Sequence, residues 1–222
     1  MKIYFLTRFS IFDYDIKAFR INKILSLEDY KEELFSEARL NAKFNAFEKV
    51  TLPSIVRQTN KNYEWYIFTS SELPVKYKIK LIDLIKSYSQ IKVLFVNSMR
   101  EFFDYDFNFD NNYATVRLDD DDGLNENFVE LMQQYADADK YKCIISFPNG
   151  HKYQIENDKI IVNKQKINKP YIACGLAAIS MNIYRCGNHT KINEKYNVIL
   201  DNTPNMYQLL CSEFCDTKFS AS

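Results

Sequence analysis

The chain has 222 residues, 29 basic and 29 acidic side chains, and a formal net charge of zero. That length can bury one substantial core, and the balanced charge gives no support to nucleic acid or an anionic membrane surface as the main partner. Five cysteines, Cys143, Cys174, Cys186, Cys211 and Cys215, contain no C-x-x-C pair, so free thiols are expected rather than a disulfide framework or zinc cluster.

Lys2 to Thr7 (KIYFLT) has the short apolar and aromatic character of a buried first strand, with Arg8-Phe9-Ser10 as its exit. It is too short for a signal-peptide core, and no later stretch approaches the ~20 apolar residues of a membrane span, so a cytoplasmic chain is expected. Glu33 to Gln58 carries a long helical pattern that includes Phe44, Phe47, Val50 and Leu52, and Pro53 inside it predicts a kink or a new start. Glu64 to Thr69 reads as a second strand, Pro74 to Tyr88 as a helix, and Ile91 to Val96 as a third strand. This alternation predicts right-handed βαβ units and a mostly parallel sheet.

Tyr113 to Leu118 is the fourth strand of this reading, and it runs into Asp119-Asp120-Asp121-Asp122. Beyond the run, Leu124, Phe128, Leu131, Met132 and Tyr135 repeat at helical spacing. Cys143 to Phe147 reads as a fifth strand, and Tyr153 to Val162 as a hairpin around Asn157-Asp158. Tyr171 to Ser180 is a further apolar piece whose Gly175 would permit close approach of a ligand or of backbone. Met206, Leu209, Leu210 and Phe214 are spaced as a helical stripe, open to core packing or to docking on a membrane or partner. Nothing resembles a linker, and one domain over 1–222 is expected.

The acid run needs a chemical explanation. Carboxylates about 4 Å apart repel by about 4 kcal/mol per pair at an effective dielectric near 20. A cation would remove that cost, and ligands of open α/β sheets collect at the carboxyl ends of strands, where this run falls. A divalent metal holding a phosphate-bearing ligand is one reading; a solvated loop, with Asp122 or Asn125 capping the next helix, is the other.

Four stretches carry a family resemblance: FLTRFSIFD, NAFEKVTLPSIVRQTNKNYEWYIFTSSELP, ATVRLDDDDGLNENFV, and SFPNGH with the downstream PYIACGLAAIS. On these the chain resembles glycosyltransferases of the GT-A fold, and more closely the bacterial rhamnosyltransferase-like family. The resemblance implies an α/β Rossmann-type sandwich whose central, mostly parallel sheet is flanked by helices. It also implies a nucleotide-sugar-binding half, 1–123, and an acceptor-side half, 124–222. The donor would be a nucleoside-diphosphate sugar, its diphosphate bridged to the run through Mn²⁺ or Mg²⁺. The acceptor would be a glycan or lipid-linked glycan in surface polysaccharide assembly, with peripheral contact at the inner membrane face.

By the same likeness to a D-x-D pattern, Asp119 would face ribose or metal, Asp121 would bind the metal, and Asp122 would be an outer or acceptor-side group. Donor contacts are expected from Thr7, Arg8, Phe9, Arg117, Asp119 and Asp120, although Phe9 also suits the core and Arg117 could simply neutralise the acids. His189 is a late histidine that such sheets bring to the metal, or else a loop hydrogen-bonder. The resemblance also implies a further histidine near the position of Cys211, from which this chain departs.

An acceptor hydroxyl needs a general base. Asp201, which ends the apolar NVIL, is favoured, with Asp122 and Glu213 as the other candidates. The run fails as a calcium loop, because Gly123 stands fifth rather than sixth from Asp119. Two alternatives stay open. One is a nucleotidyltransferase on a similar sheet, which would want a Gly-rich phosphate loop that is absent here; the other is a binding module without turnover.

Overall fold

The computed structural model describes residues 1–14 and 26–211. Strand β1 (Lys2–Phe9) leads to α1 (Leu27–Leu34), α2 (Glu37–Ala46), a π-helical turn (Phe47–Thr51) and α3 (Leu52–Val56). Next come β2 (Tyr63–Ser70), α4 (Val75–Ile85), β3 (Ile91–Val96), α5 (Met99–Asp104) and β4 (Tyr113–Arg117). Beyond the acid run lie β5 (Gly123–Leu124), α6 (Phe128–Met132), β6 (Ile144–Ser146), β7 (Asn149–Glu156), β8 (Lys159–Asn168), β9 (Ala177–Ile179), β10 (Val198–Leu200) and β11 (Tyr207–Leu210).

Seven strands form the main sheet in the order β10-β6-β9-β4-β1-β2-β3. All are parallel except β9, which runs antiparallel between β4 and β6. The interior position of β1 explains its composition: a central strand covered on both faces reads as a continuous apolar run. Its Ile3, Phe5 and Phe9 join Trp65, Ile67, Val116, Phe44, Phe47 and Leu81 in the largest buried cluster, between the sheet and α2 to α4.

The long helical pattern of 33–58 is broken twice. Ser36 caps a fresh helix by accepting from the Arg39 amide, which separates α1 from α2. Pro53 then lacks the N–H that would bond four residues back, and the turn before it widens to π geometry. The hairpin turns where expected: Asn157 and Asp158 both have positive φ, at 47° and 63°, as a two-residue primed turn requires.

A small second sheet, β5-β11-β7-β8, lies beside the end of β4. Its strand β11 corrects the helical expectation for the C-terminal stripe. Tyr207 to Leu210 pair with Gly150 to Tyr153 of β7, and Met206, Leu209 and Leu210 are buried there. Three apolar residues at helix-like spacing also suit an interior strand, and ladder bonds to β5 and β7 decide between them. Glu213, Phe214 and Cys215 fall outside the described residues. Cys143, Cys174, Cys186 and Cys211 are free and buried, as expected. Among the described residues no helix is long and apolar enough to cross a membrane.

Candidate active site

Strand β4 delivers the acid run to the junction of the two sheets. The Leu118 amide donates to the Leu6 carbonyl at 3.1 Å, the last tie to β1. The chain then turns, with the Asp122 amide donating to the Asp119 carbonyl at 3.3 Å, and enters β5 at Gly123. A Cβ on Gly123 would stand 2.8 Å from Val50 Cγ1, so the run is pressed against the π turn with no room for a side chain.

Each carboxylate has a different surrounding. Asp119 sits between two arginines: Arg117 Nη2 donates to it at 3.2 Å, and Arg8 Nη2 lies 3.9 Å away. Lys43 of α2 meets both oxygens of Asp120, at 2.6 and 2.7 Å, and Thr51 donates to the Asp120 carbonyl at 3.1 Å. Tyr153 of β7 donates its hydroxyl to the Asp121 carbonyl, while the Asp121 side chain is half-exposed. Asp122 is buried, under Cys174, whose thiol reaches towards the Gly123 carbonyl at 3.8 Å.

These surroundings split the acids electrostatically. Burial opposes charge on Asp119, but Arg117 and Arg8 outweigh it and hold the carboxyl at about 2. Burial and the neighbouring acids Asp121 and Asp119 lift Asp120 to about 6 against the pull of Lys43. Asp122 is pushed well above the usual carboxylate range by burial and by Asp121 and Asp119. Burial opposes the charge on Lys43, and Asp120 and Asp121 more than restore it.

Other expected site residues are placed differently. Thr7 is buried, and its hydroxyl accepts from the Trp65 indole at 2.8 Å, which places its side chain in the core. Phe9 is buried edge-on against Phe44 and Phe47, so the core reading of its ring holds rather than the donor one. Both follow from strand alternation: residues 3, 5, 7 and 9 share the helix-covered face, and Arg8 takes the other. Asp201 is held by groups outside the run. One of its oxygens accepts from Tyr135 at 2.7 Å and the other from Thr203 at 2.6 and 2.8 Å, and none of these groups belongs to the run.

His189 does lie in the field of Arg117 and Asp119, and burial lowers its pKa. Its Nδ1 is 2.8 Å from the Tyr171 carbonyl, which can only accept. Nε2 therefore carries the lone pair of the neutral ring. Gly175, in left-handed backbone at φ 73°, donates to the Arg117 carbonyl at 2.9 Å, so the close approach it permits is one of backbone. Cys211 is buried, and its amide donates to Tyr153 at 2.9 Å.

Lys43, Thr51, Tyr153 and Tyr184 are site residues that the sequence reading missed. Lys43 had a visible signal: it stands three residues from Leu40 and four from Phe47, which puts a lysine on the apolar face of α2. The others had none, since each reaches the run only through tertiary packing.

Among the described residues no three or more His, Cys, Asp or Glu side chains converge as a ready metal cage. The donors at the run are hard carboxylate oxygens; Arg117 and Arg8 pair with Asp119, and Lys43 pairs with Asp120. Such a set fits a hard divalent ion that takes one or two carboxylates and completes its shell with phosphate and water. It does not fit a closed zinc site.

A mostly parallel sheet that ends a middle strand in clustered acids, with a small second sheet beside it, defines the GT-A-like class of fold. Three crystal structures of TarS from S. aureus share the architecture. Its 1–349 fragment in complex with UDP-GlcNAc matches at TM-score 0.54 and 9% identity, over 96% of this chain and 59% of that one. The same fragment alone matches at 0.50 and 9% identity, over 95% and 60%. A longer TarS matches at 0.51 and 8% identity, over 96% and 37%. At these identities the likeness is one of fold, and this chain spans less than two thirds of each TarS chain. No curated protein matches it. The chain belongs to the family described as putative rhamnosyl transferase, whose sequence profile matches residues 2–219.

Proposed function

We propose that the protein transfers a sugar from a nucleoside diphosphate to a glycan or lipid-linked glycan acceptor, with Mn²⁺ or Mg²⁺ at the acid run. The observation that carries this reading is the convergence of Asp119 with Arg8 and Arg117 at the end of β4. Family membership and the fold shared with a protein crystallised with UDP-GlcNAc support it. Rhamnose as the donor sugar and surface polysaccharide as the product are the finer form of the same proposal.

The residues divide the work by charge. Asp119 and Asp121 would hold the metal, with His189 Nε2 as a further donor. When bound, the ion would supply Lewis-acid stabilisation of the diphosphate. Arg8 and Arg117 orient the phosphates through planar donor forks that match phosphate oxygens. Lys43 keeps Asp120 paired and turned away. Asp122, which lies in the run itself, is the acid proposed to receive the acceptor's proton.

A thermal-shift panel of UDP, dTDP and their sugars, with and without Mn²⁺, tests the proposal. Stabilisation by at least one nucleotide should be larger with the metal, and Asp121→Ala should abolish the metal-dependent part. Should that variant keep the full shift, the metal role of Asp121 is wrong. A module without turnover would show the shifts but release no free diphosphate in the presence of any acceptor.

A further inference from the structure

The guanidinium carbons of Arg8 and Arg117 lie 5.0 and 5.4 Å from the centre of one ring, that of Tyr184. Two like charges against one ring repel each other, and both reach the carboxylate of Asp119. Arg117 Nε is moreover buried without an acceptor among the described residues. A donor left in that state costs free energy unless a ligand supplies the acceptor.

The turn that carries Tyr184 is fastened to the two strands that carry the arginines. Thr115 of β4 accepts from the Ile183 amide at 2.8 Å and donates to the Met181 carbonyl at 2.7 Å. It stands two residues before Arg117, on the same face of the strand. The Tyr184 hydroxyl is 3.5 Å from the carbonyl of Leu6 in β1, and Leu6 is paired in register with Arg117. The ring packs edge-on against Phe102, at 4.8 Å and 79°. Asn182 closes the turn by accepting from the Tyr184 amide at 3.0 Å.

We propose that Tyr184 is a positioning residue, whose ring holds the guanidinium groups of Arg8 and Arg117 together beside Asp119 as a receptor for a diphosphate. The inference rests on the donor reading above and deepens it by assigning a part to Tyr184, a residue which that reading does not use. The two cation–π contacts offset part of the repulsion between the two cations. Without the ring, each arginine would collapse onto Asp119 or turn to solvent, and the paired fork would be lost.

Calorimetric titration of the full chain with inorganic pyrophosphate, in the presence of Mg²⁺, tests this apart from any nucleotide. Tyr184→Leu should bind pyrophosphate at least tenfold more weakly than wild type and with a shallower dependence on salt. Tyr184→Phe, which keeps the ring, should stay within about threefold of wild type. Tyr184→Met, which is apolar but has no ring, replaces the leucine variant if the latter loses cooperative unfolding. Equal pyrophosphate affinity in wild type and the ringless variant overturns the inference, as does a phenylalanine variant as weak as the leucine one. Wild type that binds UDP or dTDP but not pyrophosphate overturns it too, and leaves the donor reading standing. Tyr184-dependent binding of pyrophosphate without binding of any nucleotide would do the reverse.

Discussion

Lys43 places its ammonium nitrogen 2.6 and 2.7 Å from the two oxygens of Asp120, and only 14% and 4% of the two side chains are exposed. A lysine from α2 thus reaches under the acid run and takes the second carboxylate out of competition for ligand. Thr51, set by the widened turn before Pro53, fastens the backbone of the same residue. The helical layer therefore shapes the run as much as the strand that delivers it.

Removing one partner of this pair leaves a buried charge alone. Lys43→Met is expected to destabilise the protein by about 3–5 kcal/mol, measured by urea unfolding. Combining it with Asp120→Asn should recover much of that loss, because the orphaned charge disappears with it. Additive losses in the double variant would mean that the two groups are not coupled.

Thr7→Val should leave the buried indole N–H of Trp65 without its acceptor. The expected cost is about 1–3 kcal/mol of stability, with no change in the shift produced by nucleotides. A valine variant as stable as wild type but weakened for UDP or dTDP would return Thr7 to the donor site.

At Gly123 even a methyl group would meet Val50 at 2.8 Å. Gly123→Ala should cost about 1–3 kcal/mol through overpacking and move the acid run away from the π turn. Trimming the neighbour as well, with Val50→Ala, should return part of the loss, and thermal unfolding of the four species decides this.

Burial alone would raise the carboxyl of Asp201, but hydrogen bonds from Thr203 and Tyr135 hold it below its ordinary value of 3.8. A carboxylate depressed in this way stabilises the fold at pH values above that ordinary value, and the contribution disappears as pH falls through the lower folded value. Asp201→Asn should therefore cost stability at pH 7, by roughly 1.5–3 kcal/mol for hydrogen bonds to a charged acceptor. It should also flatten the acid limb of the stability profile. A variant with an unchanged profile and a large loss of transfer rate would restore Asp201 as the base.

Much of this architecture was legible in local pattern. KIYFLT, EWYIFT and IKVLFV read as strands because parallel strands buried on both faces need uninterrupted apolar residues. The turn at Asn157-Asp158 was equally plain, since these residues tolerate left-handed backbone. The helix inferred for Met206 to Phe214 illustrates the limit. Met206, Leu209 and Leu210 suit a helix by spacing and a strand buried on both faces by composition, and β7, more than fifty residues earlier, provides the ladder that makes Tyr207–Leu210 a strand. Strand β9, antiparallel inside a parallel sheet, left no signal in YIACGLAAIS, because neighbour direction is not encoded in composition.

By itself, the sequence determined that an α/β sheet would carry four aspartates at the end of a middle strand, with Arg117 two residues before them. Strand alternation and chain order are enough for that. Only the tertiary structure decided that Thr7 and Phe9 face the core, that Asp201 bonds to Tyr135 and Thr203, and that Lys43 and Tyr184 govern the charges around the run. Those outcomes depend on contacts between residues far apart in the chain, and burial and charge compensation select them only once the layers are packed.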